Sequence, residues 1–81
     1  MKTLTELARE AMPMAFLDDV AADRLALGCV PEWDSLGNMN LLMLVEETYG
    51  IRFDPEQLSR LRSLQDILAL VIAVDPQVKL G

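Results

Sequence analysis

The sequence predicts an all-α fold, a four-helix bundle with a short third helix and a long loop between helices 1 and 2. Three observations carry this. Apolar residues recur at helical spacing in separate stretches. Helix-starting residues precede four segments, at Thr3, Asp34-Ser35, Asp54-Pro55 and Ser63. No stretch alternates apolar and polar residues as a half-buried strand does. At 81 residues the chain makes a single domain, residues 1–81. A domain this small buries only about 60% of its extended surface, so its stability margin is thin.

Thr3-Leu4-Thr5-Glu6 has capping-box form, with Thr3 as N-cap and Glu6 reaching back. Leu4, Leu7, Ala8, Ala11 and Ala15 follow at helical spacing, and Arg9 and Glu10 turn outward. Pro13 inside a helix would forfeit the bond to the Arg9 carbonyl, at a cost of about 3 kcal/mol. Helix 1 is therefore expected to span about residues 3–12 and then kink or restart, bringing Met14, Phe16 and Leu17 to the core. From Asp18 to Glu32 no period is sustained. Val20, Leu25, Leu27 and Val30 are expected to anchor this loop, with one helical turn within residues 21–27. Cys29 reads as a small buried apolar group.

Helix 2 is expected to begin at Ser35 and end at Tyr49, with Gly50 after it and Ile51 folding back. On a helical wheel Leu41, Leu42, Val45 and Tyr49 form one stripe, assigned to the core. Leu36, Met39 and Met43 form a second apolar cluster beside it, and Gly37, Asn40 and Glu47 make the polar side, with Leu44 intruding. The wheel leaves the second cluster open: methionine at helical spacing is usually core, yet methionines also adapt to differently shaped partners.

Asp54-Pro55-Glu56-Gln57 is a strong helix start, with proline at the first helical position. Helix 3 is short, about residues 55–60, with Leu58 and Leu61 inward. Ser63 opens helix 4, whose inward stripe is Leu64, Ile67, Leu68, Val71 and Ile72. Asp75-Pro76 stops it, and residues 77–81 are expected to fray.

The composition excludes several functions. The net charge is −6, from 13 acidic and 7 basic residues, which opposes nucleic-acid binding because neutralising phosphates needs a basic face. It steers the protein instead toward basic surfaces. No apolar run approaches the roughly 18–20 residues that span a bilayer, and the N-terminus lacks signal-peptide order. One cysteine allows no internal disulfide, and cytoplasmic residence follows as the expectation. With no histidine, no Ser-His or Cys-His pair and no histidine metal site can be built. Asp18, Asp19 and Asp23 lack the glycine and ligand spacing of a calcium loop and read as a solvated turn.

Trp33-Asp34-Ser35-Leu36 is the stretch around which the rest is organised. A serine hydroxyl needs a base to act as a nucleophile. The only lysines after the missing histidines are Lys2 and Lys79, near the termini. No catalytic residue is therefore assigned, and on local physics alone Asp34 or Ser35 is simply an N-cap.

Asp34-Ser35-Leu36-Gly37, followed by Met39, Leu41, Leu42, Met43, Val45, Glu46 and Glu47, resembles the acyl carrier protein family, of the freestanding type. The resemblance covers nearly the whole chain. It implies a non-enzyme that carries acyl groups as thioesters on a 4′-phosphopantetheine arm for fatty-acid, polyketide or related metabolism. A phosphopantetheinyl transferase would take the arm from coenzyme A and attach it to Ser35, with Asp34 and Leu36 flanking. A phosphate there would lie at a helix N-terminus, where backbone N–H groups and the positive dipole end favour anions. By the same resemblance Met39 and Met43, with Leu36, match a partner-contacting patch, and Glu46 and Glu47 match its acidic rim. The implied partners are the transferase and acyl-loading and acyl-processing enzymes with basic docking surfaces. Neither membrane nor nucleic acid is implied, no metal site is expected, and the carrier is expected to be monomeric.

This chain departs from the family's classical fatty-acid members, which bear acids where Gly37 and Asn40 stand. Electrostatic docking at the head of helix 2 should be correspondingly weaker. Trp33 before Asp34 is closer to some freestanding carriers of specialised metabolism. Two alternatives stay open: an unmodified helical adaptor binding through Met39 and Met43, and a peptidyl carrier, although peptidyl carriers usually place glycines where Trp33 and Asp34 stand.

Overall fold

In the computed structural model, residues 2–81 are described. Among them are four helices and no strand: α1 Leu4–Ala11, α2 Ser35–Tyr49, α3 Pro55–Arg60 and α4 Leu64–Val71, with one 3₁₀ turn at Ala22–Arg24 in the long connection. The fold is all-α, and no helix among the described residues is long and apolar enough to cross a membrane.

Each start is written in local chemistry. Thr3 accepts the Glu6 amide at 3.2 Å while Glu6 accepts the Thr3 amide at 3.0 Å, a reciprocal capping box. Asp54 and Gln57 repeat it with Pro55 in the first turn. Ser63 accepts the Asp66 amide to open α4. At the far end of α2, Gly50 takes a left-handed φ of 65°, and the Ile51 amide folds back onto the Glu46 carbonyl at 3.0 Å.

α1 and α2 share the main helix–helix contact. The end of α1 meets the start of α2, where Met12 lies against Gly37. The start of α1 meets the end of α2, where the Tyr49 hydroxyl lies 3.4 Å from the Lys2 carbonyl. Partial burial pushes the Tyr49 phenol pKa up, with Asp75 adding to the shift. Leu4, Leu7 and Ala8 from α1, Leu41, Leu42 and Val45 from α2, and Leu64, Ile67 and Val71 from α4 make one core. Arg9 and Glu10 face water as expected.

The long connection is held by backbone pairing. Leu27 donates to the Arg62 carbonyl and Leu64 to the Leu25 carbonyl, with an isolated antiparallel bridge between Ala26 and Ser63. Leu25 is buried, and Val20, Val30 and Cys29 pack partly against the core. Leu27 holds the loop through its amide and not, as expected, through its side chain, which is exposed.

Three further expectations are corrected. α1 stops at Ala11 and does not resume beyond Pro13, so Met14 (86% exposed) and Phe16 (63% exposed) leave the core and only Leu17 returns to it. α4 ends at Val71, ahead of Pro76, in a turn where Val74 and Asp75 both donate to the Val71 carbonyl. Ile72, expected on the inward stripe, is exposed although it keeps helical dihedrals and its amide still donates to the Leu68 carbonyl. Leu58 packs partly buried against the core and Leu61, the cap residue after α3, is buried, both inward as expected. Residues 77–81 do not fray. Val78 is buried, and the Lys79 and Leu80 carbonyls accept the Leu4 and Thr5 amides at 2.9 Å each. The Thr5 hydroxyl also donates to Leu80 at 2.7 Å. The tail supplies acceptors for helix N-terminal amides that have no partner within their own helix.

Candidate functional site

Ser35 is the first residue of α2 and is exposed. Asp34 is the N-cap, its Oδ1 accepting the Gly37 amide at 2.9 Å, while its carbonyl accepts the Asn38 amide at 2.9 Å as the first bond of the helix. The Ser35 and Leu36 amides are then the donors this helix end can offer an anion.

The turn that carries Ser35 is anchored from below. Trp33 is fully buried. Its indole Nε1–H donates to Asn38 Oδ1 at 3.0 Å, and Asn38 Nδ2 donates to the Leu61 carbonyl at 2.8 Å. Three segments meet in this bridge: the residues before Ser35, the first turn of α2 and the connection from α3 to α4. Both partners are buried, so every polar atom in the bridge must be paired, and each is. The sequence reading passed over Asn38. A signal was available, because Asn38 lies three residues before Leu41 and seven before Val45, on the core stripe.

Leu36 (70% exposed), Met39 (39% exposed) and Met43 (59% exposed) lie on the outer side of α2. The cluster that the wheel left open is therefore a surface patch, with Asn40 exposed beside it. Gly37 belongs elsewhere than the polar side to which the wheel assigned it. It is buried, and a Cβ there would lie 2.8 Å from the Glu32 carbonyl oxygen and 2.9 Å from Met12 Sδ. Gly37 is the place where the incoming loop and the end of α1 press directly onto the α2 backbone.

The two acids expected on the rim differ. Glu47 is exposed, but Glu46 is half buried and its Oε2 accepts the Phe53 amide at 2.7 Å. Acids near a helix C-terminus oppose the dipole, and in Glu46 the contact with Phe53 offsets this by tying α2 to the turn before α3. Met43, Glu46, Glu47, Gly50, Ile51 and Arg52 line an open groove at this end. The structure thus brings Asp34, Ser35, Leu36, Met39 and Met43 onto one side of α2, with Glu47 at its far end. Among the described residues no three His, Cys, Asp or Glu side chains converge as metal ligands.

No protein-family model, curated protein or solved structure matches this chain.

Proposed function

We propose that this chain is a freestanding acyl carrier protein, a four-helix bundle of carrier type that works as a cytoplasmic monomer and has no catalysis of its own. A phosphopantetheinyl transferase transfers the 4′-phosphopantetheine of coenzyme A to Ser35. The Ser35 oxygen bonds to the phosphorus next to the pantetheine and the pyrophosphate bond breaks. Adenosine 3′,5′-bisphosphate leaves, and the hydroxyl proton passes to a base of the transferase. The arm supplies a terminal thiol on which acyl groups travel as thioesters to loading and processing enzymes.

One observation carries the reading. Ser35 is an exposed hydroxyl at the first position of a 15-residue helix, with an apolar patch beginning at the next residue. The residues fit the group. The hydroxyl is accessible, the Ser35 and Leu36 amides and the helix dipole favour a phosphate, and the Trp33–Asn38 bridge holds the turn below it. The serine has no histidine base in this chain, which suits a residue activated by another enzyme.

Incubation with coenzyme A and a promiscuous phosphopantetheinyl transferase, followed by intact mass measurement, tests this. The expected result is a gain of one phosphopantetheine in the wild type and none in Ser35→Ala. No gain with several transferases would overturn the reading and leave the Leu36, Met39 and Met43 patch to an unmodified adaptor.

A further inference from the structure

We propose that the outer side of α2 docks into a neutral, apolar groove on the transferase that modifies Ser35, and not against a basic patch. This rests on the carrier reading above. From Ser35 to Val45 the helix carries no charged side chain. Its exposed residues there include Leu36, Met39, Asn40 and Met43. At Gly37 the neutrality is built into the fold, because any side chain would collide with the Glu32 backbone oxygen and Met12. An acid at that position would require the incoming loop to move. Farther along, the Glu46 carboxylate is engaged by the Phe53 amide. Exposed Glu47 is left at the end of the patch, sharing a groove with Arg52.

Complementarity then decides the partner. A lysine or arginine pressed against Leu36, Met39 and Met43 would lose its water between the only two exposed carboxylates of this side, Asp34 at one end, held to the Gly37 amide, and Glu47 at the other, which is costly. An apolar groove loses nothing by covering them, and the methionines adapt to its shape. A second copy of this chain is the weaker occupant, since each copy carries a net charge of −6 and like charges oppose association.

The test uses the full chain, coenzyme A and a promiscuous transferase, with kcat and KM measured separately. Ionic strength is raised from about 0.01 M to about 0.15 M, which shortens the Debye length from about 30 Å to about 8 Å. The wild-type KM is expected to change by less than about twofold, and Glu47→Lys to stay within the same range. Asn40→Glu, which adds an acid to the exposed face, is expected to raise KM by about tenfold by forcing a charge into an apolar groove. Paired Met39→Gln and Met43→Gln substitutions are expected to do the same. Circular dichroism checks that each variant keeps its helices. A fall in KM for Asn40→Glu, or a wild-type KM that climbs several-fold with salt, overturns the groove while leaving the carrier reading intact. Dimers in sedimentation that Met39→Glu disperses overturn it in favour of a second copy. A wild type that gains no phosphopantetheine removes the carrier reading, and the groove falls with it.

Discussion

α1 and α2 pack on each other, yet they finish their outer sides in opposite ways. α1 turns Leu4, Leu7 and Ala8 inward and shows water Glu6, Arg9 and Glu10. α2 turns Leu41, Leu42 and Val45 inward but shows water Leu36, Met39 and Met43. The charged face of α1 is the ordinary solution for a surface helix. Folding does not ask for the apolar face of α2, which leaves it free for the docking proposed above. The difference separates the side that holds the domain together from the side that the proposal assigns to a partner.

The largest expected effects test the inner sides. Leu7→Ala and Leu41→Ala should each cost about 2–5 kcal/mol, as fully buried leucines do. In a domain whose whole stability is of order 5–15 kcal/mol, denaturant melts would register either change plainly. A loss below about 1 kcal/mol at Leu41 would break the comparison, since that residue would then not be core.

The bridge beneath Ser35 ranks beside them. Asn38→Leu keeps the branching of the side chain but leaves the Trp33 indole N–H and the Leu61 carbonyl buried without partners. The expected loss is about 2–6 kcal/mol, from two unpaired groups at about 1–3 kcal/mol each. Hydrogen exchange at the indole N–H should accelerate in the folded variant. Unchanged exchange would mean that Asn38 does not hold Trp33.

Met39→Glu and Met43→Glu should shift stability by no more than about 0.5 kcal/mol, as exposed positions do. Both should nevertheless impair the transferase reaction. Unfolding of either variant would return the methionine to the core and erase the contrast between the two helices.

The smallest effect lies at the start of α1. Hydrogen bonds from Thr3, its backbone amide first, hold the Glu6 carboxyl below its ordinary pKa, with Lys2 contributing less. A lowered folded-state pKa contributes stability above the unfolded value, and that contribution disappears as pH falls through the ordinary glutamate range toward the folded pKa. Melting temperature measured down this acid limb should therefore fall slightly less in Glu6→Gln than in the wild type. A steeper fall in the variant would contradict the direction.

Several features were readable because they depend on near neighbours. The bounds of α2, Ser35–Tyr49, and of α3, Pro55–Arg60, follow from Asp34, Gly50, Asp54 and Pro55, each acting within a turn of itself. The serine at the head of α2 and its apolar neighbours could be picked out for the same reason. Where the reading failed, a distant segment had the last word. Gly37 looked polar on a wheel, but Glu32 and Met12 close over it. Asn38 went unassigned because its partners, Trp33 and the Leu61 carbonyl, are contributed by other segments. Met14 and Phe16 had core chemistry and no room in the core once α1 ended at Ala11.

Caps, prolines and apolar spacing act over a few residues, and they suffice to set an all-α chain, four helix starts and a second helix headed by Asp34-Ser35 that carries no charge from Ser35 to Val45. Packing between distant segments left Leu36, Met39 and Met43 facing water and tied Glu46 to Phe53. It alone decided that residues 77–81 close onto α1. Burial and hydrogen-bond partnership belong to pairs of segments far apart in the chain, and no wheel drawn for one helix contains the other member of the pair.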